Sequence, residues 1–202
     1  VYRRNDCAIL RVMTERPKRE NWKDSPPKNW AEREAYRLSR VILDLREGRS
    51  MQWLSDRTDE LGHRVSRSVL SDLETGRRRY LTTVELTMIA AAFNTAPVVL
   101  LYPGPYDEPV DLLPSGTTTQ FKAAQWFSAN SINRFDKGDA WSKLDSFTWM
   151  RSTNTLHLWR DLNRAEMMRM SLLQQNTVDR EQIAFYDSQI HRLRQELGIA
   201  DV

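Results

Sequence analysis

The chain has 202 residues, 40% of them hydrophobic and 28% charged, with a formal net charge of +3. That length suffices for one large or two small domains, and the ordinary apolar content excludes wholesale disorder. The apolar stretch Val98 to Tyr102 is far too short to span a bilayer, and the single Cys7 excludes an internal disulfide and a Cys-rich zinc site.

Residues 1–28 read as a basic arm. Pro17, Lys18, Arg19 and the Pro26–Pro27 pair discourage a continuous helix, and Ile9, Leu10, Val12 and Met13 allow one short helical turn. The arm either lies along nucleic acid or is a disordered leader. It is charged and lacks the apolar core of a signal peptide, so a cytoplasmic protein is expected, in a bacterial cell or a phage-infected host. Asn29 and Glu32 have the spacing of a helix cap, and Leu38, Val41, Ile42 and Leu45 repeat at i, i+3, i+4 and i+7 before Gly48. Ser50 caps a second helix, Met51 to Leu61, that stops at Gly62. Ser66 caps a third, Arg67 to Thr75, that stops at Gly76. Thr82 with Glu85 opens a fourth, in which Leu86, Ile89, Ala90 and Phe93 share a face. Ala96 to Tyr102, with Pro97 in its first turn, closes the group.

The third helix suggests chemistry. With Val69, Leu70 and Leu73 buried, Arg67, Ser68, Ser71 and Asp72 are left outside. A short helix with small and polar side chains at its N-terminus can enter a DNA major groove and reach base edges. Arg77, Arg78 and Arg79 follow the helix stop and suit phosphate clamping. Taken singly, each feature also describes any small helical bundle with a solvated arginine loop; their order is what favours DNA.

Val65–Ser66 through Val69–Leu70–Ser71–Asp72–Leu73–Glu74–Thr75–Gly76, then Arg77–Arg78, resembles the lambda-repressor-like (Cro/repressor, XRE-type) helix-turn-helix family. Leu86 to Ala90 resembles it too, and the likeness spans about Ala31 to Tyr102. It implies base contacts from Arg67, Ser68 and Asp72, with Ser71 beside them. It implies backbone contacts from Gln52, Ser66 and the arginines after Gly76. Two departures stand out. The connection before Ser66 is longer than the family's, so His63 and Arg64 either reach the DNA backbone or fill space. Asp44 stands where many members place an arginine facing the glutamate of the third helix. Arg46 or Arg40 is the candidate partner for Glu74 in its stead.

Pro103, Gly104, Pro105 and Pro109 mark a linker over 103–118, which leaves 29–102 as the DNA-binding domain and 119–202 as a helical C-terminal domain. A helix is expected from about Thr119 to Ser131. The aromatics Phe121, Trp126, Phe127, Phe135, Trp141, Phe147 and Trp149 are not interleaved with Lys or Arg, so they read as a small core rather than a base-stacking surface. From Leu158 to Leu197 a mostly apolar set of residues, with Arg169 among them, keeps an alternating spacing of three and four, a heptad seam with a polar centre at Asn176 to Asp179. That centre is either a turn, with Asp179 and Gln182 capping a second helix of an antiparallel hairpin, or a register-fixing break in a coiled coil that pairs two chains. The homodimer is slightly preferred.

No catalytic constellation is visible. His63, His157 and His191 are isolated, without metal-ligand spacing, and no phosphate loop or nucleophile elbow occurs, so neither an enzyme nor a cofactor is expected. Basic charge is concentrated at the N-terminus: residues 1–30 hold eight Lys and Arg against four Asp and Glu, whereas residues 96–202 hold eleven against thirteen. The expectation is an all-α protein, a helix-turn-helix bundle of about five helices followed by a mostly helical domain. Its expected role is that of a repressor of phage or prophage immunity type, acting on a double-stranded DNA operator. The competing reading is a helix-turn-helix scaffold that binds protein, as an antitoxin-like module does.

Overall fold

The computed structural model describes residues 20–132, 146–174 and 179–199. Among these the chain is mostly helical, with a single two-stranded sheet. It divides into two compact units, residues 1–124 and 125–202. The expected helical turn at Ile9 to Met13, together with Cys7, Phe135, Trp141 and Asn176, lies outside the described residues.

The first unit is built from α1 (Trp30–Leu45), α2 (Met51–Glu60), α3 (Arg67–Thr75), α4 (Thr83–Ala92) and α5 (Pro97–Leu101). Each boundary has a local cause. Asn29 accepts from the Glu32 amide, Ser50 from Trp53 and Ser66 from Val69, while Thr82 and Glu85 form a reciprocal capping box. Pro97 occupies the first turn of α5, where an amide would have no helical partner. Helix α1 packs on α3 and α5, α2 on α3 and α4, and α4 on α5. Their inward faces meet in one core of Leu38, Val41, Ile42, Leu54, Val65, Leu70, Leu73, Ile89 and Leu100.

Residues 103–118, expected to be a linker, are folded. Strand β1 (Pro109–Leu113) pairs antiparallel with β2 (Gly116–Thr119), and Val110 and Leu112 are buried. The hairpin is fastened to α1: the Trp30 indole donates to the Asp111 carbonyl at 2.7 Å, and Arg33 reaches the Asp111 carboxylate at 3.2 Å. The Gln120 side chain exchanges hydrogen bonds with the backbone of Gly104. The first unit therefore extends past Tyr102, and the expected boundary moves to the middle of α6 (Gln120–Phe127), a shorter helix than the expected Thr119 to Ser131.

In the second unit, α7 (Ser146–Leu173) and α8 (Arg180–Leu197) form an antiparallel hairpin. The direction follows from two ion pairs, Arg169 with Asp187 and Glu166 with Arg194. Asp179 caps α8 by accepting from Gln182 at 3.1 Å, and Gly198 ends it at a positive φ. The heptad seam faces inward within this one chain, with Leu162, Ala165 and Leu193 buried along it. The hairpin alternative is thus the arrangement observed, and the seam that suggested a coiled coil between chains is occupied by the chain itself. Of the aromatics expected to form a small core, Phe121, Phe127 and Phe147 are exposed, and Trp126 and Trp149 are half-buried.

Leu54, fully buried in α2, lies in the core shared by α1 to α5. Leu54→Ala should destabilise the first unit by roughly 2–5 kcal/mol, through lost burial and the cavity left behind. Urea unfolding followed by circular dichroism checks this.

Candidate nucleic-acid interface

Helix α3 is nine residues long, and its two sides differ in kind. Leu70 and Leu73 are buried, with Val69 half-buried beside them, whereas Arg67 and Ser68 are exposed and Ser71 and Asp72 partly so. The last four lie at i, i+1, i+4 and i+5, one face of a helix. The structure therefore brings together the four residues expected to meet base edges. Arg67 makes no ion pair among the described residues. Ser66 keeps its hydroxyl 2.9 Å from that of Ser68 while it caps the helix. Asp72 pairs with Arg77 at 3.4 Å, across the stop at Gly76.

The connection between α2 and α3 hangs on Thr58. This fully buried hydroxyl accepts from the Val65 amide at 2.9 Å and donates to the Ser55 carbonyl at 2.8 Å. Arg64 is exposed and lies along α2, 3.1 Å from Asp56 and 3.3 Å from the Ser55 hydroxyl. Gln52 also reaches Asp56, at 2.7 Å. Gln52, Arg64 and Arg67 are thus exposed side chains on successive pieces of the α2–turn–α3 unit.

The three arginines after α3 separate. Arg77 is exposed. Arg78 is turned inward, its side chain 15% exposed, and makes a forked pair with Glu85 at 2.5 and 2.9 Å. Arg79 bonds to Glu32 and to the Ser25 carbonyl, each at 2.8 Å. Of the three expected phosphate clamps, Arg78 and Arg79 are mostly buried against carboxylates of other helices, whereas Arg77 stays exposed beside Asp72. The run of three letters gave no sign of this, since both acceptors lie in other helices.

The far end of α3 is closed by groups from elsewhere in the chain. A helix leaves its last four carbonyls without helical partners. Here the Asp72 carbonyl accepts from the amides of Gly76 and Arg78, and the Leu73 carbonyl from Gly76 and the Trp22 indole. The Glu74 carbonyl accepts from Arg40 and the Thr75 carbonyl from the Trp22 amide. The Glu74 carboxylate meets Arg46 at 2.6 Å. Both candidate replacements for the position held by Asp44 are therefore in use, Arg46 on the side chain and Arg40 on the backbone. Trp22 and Thr58 escaped the sequence reading. The only local hint of Trp22 was a large indole in the charged and proline-containing stretch from Thr14 to Lys28.

The charge on Glu85 is held by this packing. Burial raises its pKa, but hydrogen bonds from Arg78 and from the Thr82 amide and hydroxyl outweigh burial and lower it below the ordinary glutamate range. Glu32 is lowered as well, first by the Lys28 amide and also by Arg79.

Among the described residues no group of His, Cys, Asp and Glu is placed to hold a metal ion, and no helix is long and apolar enough to cross a membrane. Comparison with known family models, with curated proteins and with solved structures finds no match.

Because the folded pKa of Glu85 lies below its unfolded one, its stabilising effect is present above the unfolded value and lost as pH falls through the folded one. Stability should decline from about pH 5 downward, and Glu85→Gln should flatten that decline while lowering stability near pH 7. Urea midpoints measured at several pH values give the answer.

Proposed function

We propose that this protein is a sequence-specific double-stranded DNA-binding repressor of the phage or prophage immunity type, with α2 and α3 acting as a helix-turn-helix. The observation that carries the reading is the outward face of α3. Arg67, Ser68, Ser71 and Asp72 share it, and Arg64 and Arg77 are exposed before and after the helix. In a major groove, Arg67 suits the two acceptors of a guanine, Asp72 suits a cytosine amino group, and Ser68 and Ser71 adapt to bases or phosphates. Gln52, Ser66, Arg64 and Arg77 take the backbone, helped by the positive end of α3. The resemblance to lambda-repressor-like proteins points the same way.

The internal use of the heptad seam bears on symmetry. With α7 and α8 folded on each other, we read the seam as used within one chain. We read the protein as a monomer on an asymmetric site, a site to which the second unit can add contacts of its own.

A second reading has one observation in its favour. On α7, Leu156, Trp159, Met167 and Met170 are all exposed, an apolar stripe apart from the buried seam and suited to a protein partner. In this reading the bundle is a scaffold, or an antitoxin-like module.

Selection from a random duplex pool with the full chain separates the two. One enriched motif without two-fold symmetry is expected, and no enrichment from a folded protein sinks the DNA reading. Arg67→Ala should lose roughly 1–3 kcal/mol on the selected site and relax one position of the motif. Arg77→Ala should weaken all sequences alike and reduce the salt slope by about one unit. Arg78→Ala should instead lower stability, which a thermal melt reads directly.

A further inference from the structure

The strap Asn21–Lys28 lies outside every DNA contact assigned above, yet it is hydrogen-bonded to the end of α3. The Asn21 side chain accepts from the amides of Lys23 and Asp24, both at 2.9 Å, and its carbonyl accepts from Ser25. That turn presents Trp22. The Trp22 amide donates to the Thr75 carbonyl at 2.8 Å, and its indole N–H donates to the Leu73 carbonyl at 3.2 Å. Its ring lies against Gly76, where a Cβ would stand 2.4 Å from the indole. Arg79 stacks on the same ring, 4.8 Å from its centre, and ties Ser25 and Glu32 into one knot.

A helix of nine residues has little stiffness of its own, so its direction depends on how its ends are fixed. The first end of α3 is fixed by the Ser66 cap and by Thr58 through Val65. The last end is fixed largely by Trp22 and Arg40. We infer that Trp22 is a positioning residue: it sets the angle at which α3 presents Arg67, Ser68, Ser71 and Asp72, and base discrimination depends on it. Hydrogen bonds to base edges need tight geometry, whereas phosphate contacts carry little sequence information. Releasing the last turn leaves α3 pivoting on its first. Ser71 and Asp72, one turn along, then move further than Arg67 and Ser68.

The inference rests on the DNA reading, and its test keeps the two apart. Full-length wild type, Trp22→Ala and Trp22→Phe are compared in duplex selection, in affinity for random duplex, and in amide exchange at Gly76 and Arg78. For Trp22→Ala the preference for the selected site over random duplex should fall about tenfold or more, within the range that separates specific from non-specific binding. Affinity for random duplex and its salt slope should stay within about twofold, since the phosphate contacts remain. The motif should relax more at positions read by Ser71 and Asp72 than at the one read by Arg67, and exchange at Gly76 and Arg78 should quicken. Trp22→Phe, which keeps a ring but loses the indole donor, should fall between the two. It carries the test should the alanine variant unfold. A wild-type chain that selects a motif left intact by both variants overturns the role of Trp22 alone. Equal losses on selected and random duplex also overturn it, because they mark a general loss of folded protein. A wild-type chain that selects no motif overturns the DNA reading and this role with it.

Discussion

The backbone carbonyls at the end of α3 are the constraint on which the first unit depends. Buried carbonyls without donors are costly, roughly 1–3 kcal/mol each, and a helix of this length has several to satisfy. The chain recruits donors from three separated places: the indole and amide of Trp22, the guanidinium of Arg40 and the amides that follow Gly76. Each recruitment places something else. Trp22 draws the strap against α3, Arg40 holds α1 to the end of α3, and the left-handed Gly76 turns the chain toward α4. The closing of one helix thus adds a polar tie to the apolar packing of α1 on α3.

The arginines show how little a net charge says about a surface. Residues 31–95 hold eleven arginines and ten acids. Arg46, Arg78 and Arg79 point inward onto Glu74, Glu85 and Glu32. Such pairs sit where partial burial strengthens them and where removing one partner strands the other. Arg33, Arg49, Arg57, Arg64, Arg67 and Arg77 stay exposed, and the last three of these flank or lie on α3.

How far the sequence anticipated this follows the range of each interaction. The caps at Asn29, Ser50, Ser66 and Thr82 were legible, because a cap is decided within about four residues and its side-chain chemistry is distinctive. The outward face of α3 was legible for the same reason. The fates of Arg78 and Arg79 were not, since Glu85 and Glu32 are remote from any local pattern. The β1–β2 hairpin was missed because its alternation, buried Val110 and Leu112 around Asp111, lasts only five residues and sits among prolines that signal a linker. The seam of α7 and α8 was read correctly as a seam. Whether it closes within one chain or between two depends on loop geometry that the heptad pattern does not encode.

Trp22 also bears on where this domain begins. By helix boundaries alone, a minimal fragment would start at the Asn29 cap. Such a fragment would lose two donors to the end of α3 and the ring that covers Gly76. It would keep every core side chain of α1 to α5 and still lack part of what completes α3. During synthesis the order is favourable: the strap leaves the ribosome first and waits some fifty residues for its helix. A fragment cut at the first helix therefore leaves the last turn of α3 short of the two donors that the strap supplies.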